Sequence, residues 1–185
     1  MMKIDADDLQ SQLDRRNEEI EIIEKVASQI NKNLDLDQIA KTMLVSMDKY
    51  FDFKHSMILL FDQTENFLKV IATHGYQDEG IGAEVEIGVG VIGVVAKKKK
   101  LMRMANIGSQ RRYMQTIKKQ VALTDKVEPK KEIHLPGLPN AESQVAIPML
   151  MEDELIGVFA VESDQVNIFD KSDEMIIRIL ANQTA

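Results

Sequence analysis

Two apolar runs separated by a short acidic turn constrain the fold of this chain most. They are Ser143-Gln-Val-Ala-Ile-Pro-Met149 and Glu154-Leu-Ile-Gly-Val-Phe-Ala-Val-Glu-Ser163. They read as strands over Val145–Met151 and Leu155–Glu162, closed into a hairpin by Glu152-Asp153. About fifty residues earlier, Gly88-Val-Gly-Val-Ile-Gly-Val-Val-Ala96 leads from a short strand edge into a short helix. Glycine permits the tight strand-to-helix turn and close helix packing needed there. Together these segments describe a small antiparallel sheet with a glycine-rich helix entry on one face, an arrangement that makes a sheltered pocket.

The rest of the chain supplies the remaining layers. Residues 5 to about 33 contain no Gly or Pro and read as one helix. Leu9, Leu13, Arg16, Ile20, Ile23, Ala27, Ile30 and Leu34 repeat at alternating steps of four and three, a heptad seam. At about 1.5 Å per residue such a helix runs to roughly 43 Å, which is long for a small domain. The seam is therefore expected to bury Leu9, Leu13, Arg16, Ile20, Ile23, Ala27 and Ile30 against a second copy, as a coiled-coil-like homodimer. Ile22 and Val26 widen the stripe toward the globular part. Asp35 is a candidate N-cap for a second helix ending near Tyr50. His55–Asp62 and Phe67–Thr73 read as a hairpin across Gln63–Asn66, and Val85 and Ile87 as a short edge. Leu101–Ala105 looks extended. Residues 107–141 are irregular except for a helical pattern from Gln110 to Leu123, and a stretch this long points to a lid or binding loop. Asp170, with Asp173 three residues on, caps a last helix whose apolar face is expected to hold Met175, Ile176, Ile179 and Leu180. No stop signal ends it, so it is expected to continue into an output domain.

Composition excludes several chemistries. There is no Cys, hence no disulfide, thiolate metal site or thiol nucleophile. This suits a reducing, cytoplasmic setting. His55, His74 and His134 have no metal-ligand spacing, no Ser sits in a nucleophile elbow, and no carboxylate pair is set up as acid and base. Neither a catalytic residue nor a metal is expected. Gly88-x-Gly-x-x-Gly93 lacks the preceding buried strand and the later acid of a dinucleotide site. Residues 97–131 hold twelve Lys or Arg against Asp125 and Glu128, a net +10 that leaves −17 for the rest of a chain totalling −7. Such a block can attract anions. Tyr113 is its only aromatic and no recognition motif accompanies it, so nucleic acid is not the expected partner. Met102, Met104, Met114, Met149 and Met151 suit an adaptable apolar site or an ordinary core.

The order of these motifs resembles the GAF domain. The residues that carry it are Gly88-x-Gly-x-x-Gly-x-x-Ala96, the long insertion, Ser143-x-x-x-x-Pro148, Leu155-Ile-Gly-Val158, Glu162-Ser163 and Phe169-x-x-x-Asp173. The resemblance implies an α+β fold: an antiparallel sheet of five to six strands, helices on one face and a lidded pocket on the other. The domain would span residues 35–185, preceded by the dimerising, signal-carrying helix of residues 1–34. It also implies a sensory or regulatory module of a signalling protein, not an enzyme. A small ligand, anionic or a nucleotide given the basic block, would act through dimer helices. A ligand-free dimerisation spacer is the alternative. Bilin-binding relatives attach their chromophore through Cys, which is absent. Some relatives that bind cyclic nucleotides carry an Asn-Lys pair ahead of Phe-x-x-x-Asp-Glu, and only Phe169, Asp173 and Glu174 of that motif are present, so a cyclic nucleotide is implied by an incomplete motif. The implied topology would put Val91 and Ile92 at the helix entry, Met104 and Asn106 on the lid strand, and Val145, Ile147 and Val161 on the sheet around the ligand.

Overall fold

The computed structural model of the chain describes residues 6–30, 36–77, 79–107 and 135–183, without the side chains of 6–11, 26–30 and 183. The first helix, α1 (Ala6–Ile30), is followed by α2 (Leu36–Phe51). Ala40, Met43, Leu44 and Met47 line the buried face of α2 at helical spacing. The expected cap at Asp35 lies outside the described residues. Strands β1 (His55–Asp62) and β2 (Phe67–His74) form the expected hairpin. Its turn is held by Asp62, whose carboxylate accepts the N–H groups of Thr64 at 2.8 Å and Glu65 at 3.1 Å. The edge strand β3 (Glu84–Glu86), helix α3 (Gly90–Lys98) and strand β4 (Met102–Met104) come next. The hairpin β5 (Ser143–Met151) and β6 (Glu154–Ser163) and the helix α4 (Lys171–Gln183) complete the fold. The helical pattern from Gln110 to Leu123 lies outside the described residues, as does most of the basic block.

The fold is α+β. Among the described residues, six antiparallel strands run in the order β3-β2-β1-β6-β5-β4, with the two short strands at the edges. Short edge strands offer little unpaired backbone to other chains. Because successive strand residues point to opposite faces, the sheet serves two cores. One face carries Ile58, Val145, Ile147, Phe159 and Val161 under α2 and α4. The opposite face carries Met57, Leu59, Ala146, Val158 and Ala160 with Ile92, Val95 and Ala96 of α3. No helix among the described residues is long and apolar enough to cross a membrane.

Two expectations about helix faces need adjusting. The buried residues of α4 are Ile176, Ile177, Leu180 and Ala181, whereas Met175 and Ile179 face outward. The helix is turned by about one position from the expected face, which puts Ile177 and Ala181 in the core in place of Met175 and Ile179. Helix α1 does not stand free either. Ile22 and Ile23 pack against the core of its own chain, and Arg16 donates to the Ser172 hydroxyl of α4 at 2.7 Å. Leu13 and Ile20 remain more than half exposed. The seam is thus divided, with Ile23 turned inward and Leu13 and Ile20 outward. The side chains of Leu9, Ala27 and Ile30 lie outside the described residues.

The start of α4 is a reciprocal cap. Asp170 accepts the N–H groups of Ser172 at 2.6 Å and Asp173 at 3.0 Å, and Asp173 accepts that of Asp170 at 2.8 Å. The Asp173 N–H holds the Asp170 carboxyl below the usual carboxylate range, while burial pushes Asp173 above it. A depressed carboxyl stabilises the fold above its unfolded pKa, and that contribution disappears as pH falls through the folded value. Asp173 contributes with the opposite sign. Asp170→Ala should therefore cost about 1 kcal/mol in urea unfolding at pH 7, and the difference from wild type should shrink below about pH 4.

Candidate functional site

On the α3 face of the sheet, one row of side chains crosses four strands. The register aligns His55 of β1 with Glu162 of β6, Glu162 with Gln144 of β5, and Gln144 with Met104 of β4. Cross-strand partners share a face, so this row lies at one end of the floor facing α3. The next row inward is Met57, Ala160, Ala146 and Met102. The two central alanines are small and fully buried in the α3-side core, and large side chains resume at Leu59 and Val158.

Glu162 is the centre of the row. It is only 4% exposed. Its carboxylate accepts the Gln144 side-chain amide at 3.1 Å, the Leu138 backbone N–H at 2.8 Å and the Tyr76 hydroxyl at 3.3 Å. The Tyr76 ring stands edge-on to the His55 ring at 5.7 Å. Burial, reinforced by the charge of Glu162 and the hydrogen bond to it, pushes the Tyr76 phenol far above its ordinary pKa. The phenol is a neutral donor at every physiological pH. A buried carboxylate is costly unless it is hydrogen-bonded. Here two long-range segments, around residues 76 and 138, meet on it.

Glu162 also borders a cleft of about 400 Å3 at the end of the sheet, shared with Phe51, Phe53, His55, Phe169 and Asp173. Phe169 is buried with its ring edge-on to Phe53 at 5.9 Å, and Asp173 belongs to the α4 cap. The Phe169-x-x-x-Asp173 spacing is thereby accounted for by packing and capping.

The expected ligand residues divide between the two faces. Ile92 is buried against the α3 face of the sheet, with Val91 packed beside it. Met104 is half-buried in the polar row, while Asn106 is exposed just beyond β4. Val145, Ile147 and Val161 instead lie under α2 and α4, on the opposite side of the sheet. The reason is parity, since a shift of one residue along a strand exchanges its faces. The residues on the α3 side are the neighbours Gln144, Ala146, Ala160 and Glu162. Sequence reasoning does not place Glu162, Gln144, Tyr76 or His55 at the ligand. A signal exists for the first two: each is a polar residue inside a strand that otherwise reads as apolar. Tyr76 carries none, because its approach depends on the loop after β2. Of the methionines, Met102 packs on the α3 side, Met149 lies in the other core, Met151 is exposed, and Met114 lies outside the described residues.

The GAF domain family profile matches residues 33–185. No curated protein matches the chain. Solved structures share the fold at low identity. The GAF domain of an Acinetobacter phosphoenolpyruvate-protein phosphotransferase is 17% identical, with a TM-score of 0.72 and 89% of each chain covered. The free methionine-R-sulfoxide reductase of Neisseria meningitidis, in complex with its substrate, is 16% identical, with a TM-score of 0.67 over 90% of this chain and 85% of that one. The nlh2 GAF domain of A. Aeolicus in an inactive state is 17% identical, with a TM-score of 0.64 over 91% and 93%.

Proposed function

This chain belongs to the GAF domain family, and on that premise we propose that it is a sensory module whose α3-side floor holds a small molecule. GAF domains are sensory and regulatory domains of signalling proteins, and they often bind small ligands beside output domains. The observation that carries the reading is the buried Glu162, held by Tyr76, Leu138 and Gln144 beside the small residues Ala146 and Ala160. A carboxylate set in this way accepts N–H donors from a ligand. The net +10 of residues 97–131 favours a ligand that also carries negative charge. Nucleotides offer both groups. Occupancy is passed to a second copy through α1, whose Leu13 and Ile20 stay exposed on a helix latched to α4. The role is regulatory; with no Cys, the chain has no thiol for redox catalysis.

Thermal-shift and calorimetric binding against a panel of nucleotides and anionic metabolites tests this. At least one compound should raise the melting temperature, less so at high salt, and Glu162→Gln should abolish the rise. Sedimentation should show a dimer that Ile20→Glu dissociates. If no panel member binds and the dimer is intact, the sensory reading fails in favour of a ligand-free spacer.

A further inference from the structure

We propose that β4 is the mechanical link between the α3-side floor and the signalling helices, and that Arg103 is its grip. As a route out of a ligand site this rests on the sensory reading above; as a physical link it does not. Successive residues of β4 point to opposite faces of the sheet. Met102 packs with the α3-side core and Met104 stands in the row of Gln144 and Glu162, so both neighbours of Arg103 face the floor. Arg103 is opposite Val145 and points to the other face, where it lies exposed beside the start of α4.

There Arg103 makes two charge-assisted bonds to the same end of α4. Its Nη1 donates to the Phe169 carbonyl at 2.8 Å, and its Nε pairs with the Glu174 carboxylate at 3.1 Å. Both partners flank the Asp170–Asp173 cap. The next step is equally short, because Ser172 accepts from Arg16 of α1 at 2.7 Å, and Arg16 is itself paired with Glu19 at 2.8 Å. The chain of contacts is β4, Arg103, the first turn of α4, Ser172, Arg16 and α1.

One of the two short edge strands sits at the head of this chain. Strand β4 is three residues long and, among the described residues, lies at the sheet edge and pairs only with β5. A change at Met104 can therefore shift β4 without rearranging the long central strands, and a planar guanidinium bonded both to Phe169 just ahead of α4 and to Glu174 in its first turn transmits that shift better than a flexible point charge.

Hydrogen exchange on the full chain, without any ligand, tests the link. Arg103→Met keeps the length of the stem and removes both bonds. It should speed exchange at least about threefold in residues 171–176 and also in residues 12–25 of α1, with the central strands β1 and β6 unchanged. Ser172→Ala should affect α1 alone, and the double variant should loosen α1 no more than Arg103→Met does. Should Arg103→Met also loosen β1 and β6, the milder Arg103→Lys decides, because it keeps the charge and loses the fork. Loosening confined to α4, or strictly additive effects on α1, overturns the proposal. A positive exchange result with an empty ligand screen removes the sensory reading and leaves the link intact.

Discussion

Glu162→Leu lowers the stability of the domain by about 2–4 kcal/mol, because it leaves donors on Tyr76, Leu138 and Gln144 facing an apolar side chain. Leucine fills most of the same space, so lost packing contributes little. The penalty is the desolvation of groups that no longer have an acceptor. Glu162→Gln separates this from charge. The glutamine oxygen can face Tyr76 and Leu138 while Gln144 reverses its own amide, so the cost should be about 1 kcal/mol or less. The pair of variants, compared by urea unfolding, reads the burial of the site directly. Equal and small losses would mean that water serves these donors and that Glu162 is not the anchor of the floor. In the glutamine variant the Tyr76 phenol, relieved of the neighbouring charge, should also titrate lower.

Gly93→Ala should be comparably damaging, for a reason that lies in the backbone. A Cβ at Gly93 would fall 2.2 Å from the Glu86 carbonyl oxygen and 3.0 Å from the Gly88 nitrogen. Neither atom can move alone, since the Gly88 N–H already donates to the Gly93 carbonyl at 2.8 Å. Helix α3 must withdraw from the sheet, at about 2–4 kcal/mol. Gly90 provides the contrast within the same motif. It has φ +63, and a Cβ there would meet nothing within 4 Å, so Gly90→Ala carries only the left-handed strain of about 1–2 kcal/mol. Chemical denaturation should rank Gly93→Ala well below Gly90→Ala. The reverse order would show that conformational freedom, not close approach, governs this turn.

The two sites differ in how far the sequence alone reveals them. The glycine segment is legible, because the need for a tight turn and close packing is local and leaves its mark in the residues themselves. So are the β1–β2 hairpin, the β5–β6 hairpin and the Asp170 cap, each specified by neighbours a few positions apart. Val145, Ile147 and Val161 are recognisable as sheet residues, but the side of the sheet is not. Both faces of β5 and β6 are buried, so the usual contrast of apolar and polar residues that orients a strand is missing. Helix α1 shows the same limit. Its heptad spacing identifies an apolar stripe, yet Ile23 lies against its own core while Leu13 and Ile20 face outward.

The amino-acid order by itself determined the elements, their sequence and the GAF-like α+β class, because turns, caps and periodicities act over a few residues. Tertiary structure alone decided which side of the sheet each strand residue faces, that Tyr76 and the Leu138 amide converge on Glu162, and that Arg103 grips α4. Those outcomes depend on contacts between residues 24 to 86 positions apart. Only the packing of whole helices and strands against one another selects among the pairings that the local pattern leaves equal.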